Sequence, residues 1–298
     1  MIGCGRWGKN ILRDLRALGC EVPVVATHET SIANATEGGA SEIVSAADQL
    51  PPVDGAVIAT RTLEHAAAIE AFAAAQPSPI FCEKPLCADA DQADDLAERF
   101  GDRLFVMDKW RYHPAVREVA RIARDGELGA PRSLQMRRVT TRNPHGDVDT
   151  VWTHAPHDVA IALEIFGDLP PARFAVEERT ADGRIGLTAT LGGPPWVNIE
   201  ISDAAPGHRR ELRLVCENGS MQLDGGWAEQ ITIRRPGADD DEVRATPGEL
   251  PLLAELRAFA EHLTGGPPPL SSAADAALQV RRIEELIALA ESNERVTA

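Results

Sequence analysis

At 298 residues the chain exceeds one typical domain and predicts two. Hydrophobic residues make up 44% and charged residues 26%, with a mean hydropathy of -0.19, a balance that lets a globular chain bury a core without staples. Lys and Arg number 30 against 46 Asp and Glu; the net charge of -16 repels phosphodiester backbones and anionic lipid, so neither nucleic acid nor a membrane is an expected partner.

The first third alternates helical and strand patterns. Ile11, Leu12, Leu15 and Leu18 fall at helical spacing and Gly19 follows as a stop. Val22 to Thr27 reads as a buried strand, Ala40 to Leu50 as a helix, Val53 to Thr60 as a strand and Glu64 to Ala75 as a helix. Ile80 to Cys82, Ala90 to Phe100 and Leu104 to Met107 continue the alternation as strand, helix and strand. Strands separated by helices of about 10–15 residues imply crossovers and a doubly wound parallel sheet of the Rossmann kind over 1–113.

After Tyr112-His113-Pro114 the texture changes. A helix over Val116 to Arg124, a strand from Arg132 to Arg142 and a helix from Pro156 to Phe166 precede six strand-like runs between Ala172 and Arg234. Turns such as Asp182-Gly183, Asn218-Gly219 and Asp224-Gly225 divide them, which predicts an α+β domain over 114–298 with an open, mostly antiparallel sheet. Helices at Leu252 to Leu263 and Ala273 to Ala290 end the chain, the last expected to pack near the first domain.

The cysteines Cys4, Cys20, Cys82, Cys87 and Cys216 are odd in number and lack paired spacing, so they suggest free thiols, a reducing interior and a cytoplasmic location. No apolar run reaches the roughly 18 residues of a membrane span, and the first residues hold no apolar signal segment.

Gly3-x-Gly5-x-x-Gly8 opens the first helical pattern, where glycines permit a tight turn and close approach of backbone to a pyrophosphate. The strand expected before Gly3 is reduced to Met1-Ile2, so the sequence predicts a Rossmann sheet whose first strand is truncated. About 20 residues on, Glu29 could accept from a ribose hydroxyl and favour NAD. His28, Thr30, Ser31 and Arg6 could equally bracket a 2′-phosphate, and the choice between NAD and NADP stays open. Glu83-Lys84-Pro85 closes a buried strand at the carboxyl end of the sheet, where ligands bind, and Lys84 could donate to a substrate oxygen.

Together Gly3-Cys4-Gly5-Arg6-Trp7-Gly8, Ala59-Thr60-Arg61-Thr62-x-x-His65 and Glu83-Lys84-Pro85 resemble the Gfo/Idh/MocA family of NAD(P)-dependent oxidoreductases. The likeness runs on through Trp110-Arg111-Tyr112-His113-Pro114, Gly126-Glu127-Leu128-Gly129 and Trp152-Thr153-His154-Ala155-Pro156-His157-Asp158. It implies a hydroxyl/ketone substrate that is a sugar, a cyclitol or a nucleotide-linked sugar, and a homo-oligomer such as a dimer or tetramer. It also implies that Lys84 is the active-site lysine, that Lys84-Pro85 is a cis bond, and that Thr60, Arg61 and the loop to His65 line the dinucleotide with Glu83. His157 corresponds to the family's acid/base histidine, and imidazole titrates nearest neutrality.

The resemblance implies an aspartate, as most relatives carry, at the position where this chain has Thr153, which cannot ionise near neutral pH. Three readings follow: a carboxylate from Asp147, Asp149 or Asp158 substitutes; Lys84 acts as the acid; or the protein binds dinucleotide and sugar as a sensor without turnover. Tyr112 at the domain junction, Arg142 in the polar loop that follows the strand, Thr153 and His154 complete the expected substrate contacts. His154-x-x-His157 has zinc-like spacing but no evident third ligand, so no metal is expected.

Overall fold

The structure, a computed structural model, describes residues 1–181 and 183–297, the last four of these by backbone alone. Asp182, half of the expected Asp182-Gly183 turn, lies outside the described residues. The chain forms two compact units, Met1–Lys109 with Leu250–Val280, and Trp110–Glu249 with the residues from Arg281 onward. The sequence boundary near 113 and the assignment of all of 114–298 to one domain thus differ from the observed division, because an apolar helix near the C-terminus packs into the first unit.

In that first unit the parallel strands β1 (Pro23–Val25), β2 (Glu42–Val44), β3 (Ala56–Ile58), β4 (Ile80–Glu83) and β5 (Leu104–Met107) alternate with helices. The helices are α1 (Gly8–Ala17), α2 (Glu29–Glu37), α3 (His65–Ala75) and α4 (Ala90–Phe100). Ile2 supplies the missing centre: it bridges Val25 on one side and Ile58 on the other, both in parallel. Its N–H donates to the Val57 carbonyl, and its carbonyl accepts from Ala59. Ile2 therefore joins β2-β1 to β3-β4-β5 as one sheet through the short first strand that the sequence predicts.

Val24, Val57, Phe81 and Phe105 share a core with Ile11, Leu12 and Leu15 of α1 and with Leu252, Leu256 and Phe259 of α7 (Pro251–Leu263). The Phe81 and Phe259 rings stack with centroids 4.9 Å apart. The helix expected over Ala40 to Leu50 is a correction: β2 and a short 3-10 turn at Ala47–Gln49 occupy it. Pairing wins there over alanine's helix propensity, since Pro23, Val24 and Val25 align with Glu42, Ile43 and Val44. Helix α2 fills a stretch in which the sequence reading placed no element.

The second unit carries an eight-stranded sheet in the order β13-β12-β11-β10-β6-β9-β8-β7. Its strands are β6 (Pro131–Val139), β7 (Ala172–Thr180), β8 (Gly183–Gly192), β9 (Trp196–Ser202), β10 (Arg209–Cys216), β11 (Gly219–Asp224), β12 (Gln230–Arg234) and β13 (Glu242–Ala245). All pairings are antiparallel except β6 with β9. Alternation puts Leu134, Met136, Leu212, Leu214, Ile199 and Ile201 on the buried face. Helices α5 (Pro114–Asp125) and α6 (Thr150–Phe166) belong to this unit, and α8 (Ala273–Thr297) passes from the first unit to the second. No helix among the described residues is long and apolar enough to cross a membrane.

Candidate functional site

In the first unit the glycine loop has the backbone a pyrophosphate needs. Gly3 sits at φ +86°, and a Cβ there would lie 2.7 Å from the Ala59 carbonyl oxygen, so only glycine fits. At Gly8 a Cβ would meet the Gly3 oxygen at 3.1 Å, while nothing lies within 4 Å of one at Gly5. Cys4 N–H donates to Ser31 Oγ at 2.9 Å and the Asn34 amide donates to the Cys4 carbonyl at 2.9 Å, so α2 braces the loop. Trp7 precedes α1 without a side-chain cap, and the Lys9 and Asn10 N–H groups of the first turn donate to the Gly5 and Trp7 carbonyls, which ties the loop to the start of the helix whose positive end favours an anion. These features fit a dinucleotide.

Arg6, His28 and Glu29 are exposed, the last two at the start of α2. Thr60 is half-buried, and exposed Arg61 begins a short 3-10 turn at Thr62–Glu64. His65 is buried instead, and its Nδ1 donates to the Pro85 carbonyl at 2.8 Å, supporting the Lys84-Pro85 turn from behind. That peptide bond is cis.

Glu83 joins the loop to the lysine. One of its carboxylate oxygens accepts from Trp7 Nε1 at 2.5 Å and the other from Lys84 N–H at 3.1 Å. Burial pushes the Glu83 carboxyl up, against the pull of Lys84 and Lys109. The Lys109 ammonium lies 4.1 Å from the Trp7 ring centroid. Glu255 on α7 is 1% exposed, and burial, aided by Glu83, holds it well above the carboxylate range.

In the second unit, α6 starts at Thr150 and not at Pro156, so the histidine segment lies inside the helix with Pro156 in its interior. Asp149 makes this early start possible by accepting from the N–H groups of Val151 and Trp152. Thr153 is buried, its hydroxyl 2.9 Å from Asn143 Oδ1 and 3.0 Å from the Asp149 carbonyl. His154 is buried and His157 half-buried, the latter ring meeting Trp110 edge-on at 6.4 Å. Arg142 is exposed, and its carbonyl accepts from the Thr140 hydroxyl at 3.0 Å; Tyr112 is half-buried.

Two of the carboxylates weighed as substitutes for the absent aspartate are committed elsewhere. Asp149 caps α6 and binds Arg184 at 2.6 Å. Asp158 accepts from Arg138 at 3.0 and 2.7 Å through Oδ1, with both side chains almost fully buried. Arg138 also lies 4.7 Å over the Trp110 ring, on which His113 stacks at 5.1 Å.

Sequence reading missed this Arg138–Asp158–Trp110 cluster. A signal was present: in Leu134, Met136, Arg138 the arginine takes an apolar-face position of a period-two strand. Arg210, ahead of Leu212 and Leu214, does the same. Among the described residues no group of three His, Cys, Asp or Glu gathers as a metal site.

Residues 1–107 match the model of an oxidoreductase family with an NAD-binding Rossmann fold. The inositol 2-dehydrogenase of Burkholderia vietnamiensis is 26% identical over 253 residues, 75% of this chain and 72% of that protein. Among solved structures, UDP-N-acetylglucosamine 3-dehydrogenase from Acidithiobacillus ferrooxidans superposes with a TM-score of 0.84 at 21% identity, covering 98% of this chain and 96% of that one. A levoglucosan dehydrogenase complexed with NADH and levoglucosan gives 0.87 at 15% identity, with 98% and 96% covered. At such identities the structural likeness speaks for the fold. The matched segment and the glycine loop's geometry show an NAD-binding Rossmann fold over residues 1–107, and the whole chain is similar in fold to these dehydrogenases.

Proposed function

We propose that the protein interconverts a hydroxyl and a ketone on a sugar, cyclitol or nucleotide-linked sugar. The observation that carries this is the Trp7–Glu83–Lys84 linkage, which ties the dinucleotide loop to a lysine at the carboxyl end of β4. Gly3, Gly5, Gly8 and the first turn of α1 hold the pyrophosphate, with Thr60 and Arg61 beside it and Arg6, His28 and Glu29 at the ribose. The bound dinucleotide supplies or accepts the hydride. Lys84 donates a hydrogen bond to the reacting oxygen, and His157 takes or returns its proton, a role suited to imidazole near neutral pH. Glu83 orients Lys84 through the backbone, and His65 supports the turn behind it.

The sensor reading keeps one observation in its favour: Thr153 is buried against Asn143 and Asp149, where no carboxylate of its own is offered. Following reduced-cofactor absorbance over a panel of sugars separates the two. Turnover that collapses in Lys84→Ala and His157→Ala supports catalysis; uptake of dinucleotide and sugar with no redox change supports the sensor. We also propose a cytoplasmic homo-oligomer that covers Phe174, Val176 and Trp196, which are 48%, 43% and 44% exposed. Light scattering of a Phe174→Glu variant tests this, with dissociation expected.

A further inference from the structure

The second unit holds a charge imbalance that the proposed chemistry does not use. Arg138 on β6 and Arg210 on β10 stand directly opposite each other in the antiparallel ladder. Like charges so placed repel. Among the described residues one carboxylate, Asp158, acts on both, and its side-chain hydrogen bonds are with Arg138. Arg210 is half-buried and makes no side-chain hydrogen bond or ion pair among the described residues. Its guanidinium lies by Gly226, where a Cβ would meet Arg210 Nη1 at 3.3 Å and the Trp110 ring at 3.2 Å. Burial and the Arg138 charge both act against its protonated form.

Guanidinium does not escape such a position by losing its proton, as lysine or histidine would. It presents a planar fork of donors suited to a carboxylate or a phosphoryl group. His157 shares the Trp110 ring with Arg138, so the same few side chains connect the proposed acid/base group to the uncompensated charge. We propose that Arg210, with Arg138 behind it, forms an anion subsite, and that the substrate is an acidic sugar or cyclitol bearing a carboxylate or a phosphoryl group. This deepens the oxidoreductase reading and rests on it for the identity of the substrate, but not for the binding of the anion. The chain's overall charge of -16 does not oppose it, because the local balance at this site is positive.

The test uses the full chain with matched probes: neutral hexoses and myo-inositol, the corresponding uronates and aldonates, and their monophosphates. Binding is measured by calorimetry in the presence of the dinucleotide, and turnover by cofactor absorbance. The uronate or phosphate arm is expected to bind about 10- to 100-fold tighter than its neutral parent, the range for a hydrogen-bonded charge pair. Arg210→Gln should erase that ratio and Arg210→Lys should keep part of it. Which arm responds tells carboxylate from phosphoryl. Neutral probes binding as tightly as every acidic one, or an unchanged ratio in Arg210→Gln, overturns the subsite even if neutral sugars are turned over. Anion binding that depends on Arg210, with no turnover of any probe, upholds the subsite and removes the oxidoreductase reading instead.

Discussion

Each unit buries ionisable groups, and the two solve the problem in opposite ways. In the first, Glu83 and Glu255 gather under Lys84, Lys109 and the Trp7 indole, with Asp108 nearby taking a hydrogen bond from Gln279 at 2.7 Å. A buried carboxyl can shed its charge by binding a proton, and burial drives Glu255 strongly that way. In the second, Arg138 and Arg210 have no such exit, and one carboxylate is shared between them. The lesson is chemical: buried acids relax by titrating, whereas buried guanidinium requires a counter-anion from the protein or from a ligand.

Five substitutions break or sharpen that contrast. The largest effect belongs to Lys84→Ala, which should lower kcat by about 100- to 10,000-fold, the usual worth of a group that assists proton movement, with dinucleotide affinity retained. Steady-state kinetics beside calorimetry checks both halves. Next comes Asp158→Ala, which leaves Arg138 buried without its partner and should cost about 3–5 kcal/mol in denaturant unfolding. Adding Arg210→Gln to that variant should recover part of the loss, since one of two repelling charges is gone; no recovery would show that the two guanidiniums do not interact.

Gly3→Ala forces a Cβ toward the Ala59 oxygen at a positive φ and should cost about 1–3 kcal/mol while weakening dinucleotide uptake. The smallest and most diagnostic change is Glu255→Gln. Because the folded-state pKa of Glu255 is raised, the folded protein holds a proton that the unfolded chain releases above about pH 4.3. Its contribution is therefore most favourable below that pH and is lost as pH rises toward the folded value. Thermal melts across this window should show a shallower decline with pH in Glu255→Gln, and parallel curves would contradict the burial argument.

Much of the fold was legible because alternation and breakers carry it. Strands β9 and β12 follow their apolar runs, and the alternation of helices with short apolar segments marks the Rossmann unit. What failed failed locally. Ala40 to Leu50 looked helical by composition, but only pairing with β1 decides that Ile43 and Val44 are extended. The depth of α6 was hidden because Pro156 suggested a start, whereas Asp149, farther upstream, is the cap. Glycine loop and lysine were readable from order along the chain. The Trp7–Glu83 bond spans 76 residues, and the Arg138–Arg210 pairing joins strands distant in sequence, so neither has a local signature beyond a charge in an apolar register.

The claim on which the rest depends is that the glycine loop holds a nicotinamide dinucleotide, and calorimetric titration of the full chain with NAD and NADP in turn addresses it most directly. Saturable uptake of one of them at a single site per chain, weakened in Gly3→Ala, is the expected result. Heats of dilution alone for both dinucleotides, from a protein that is folded by its thermal melt, would contradict it.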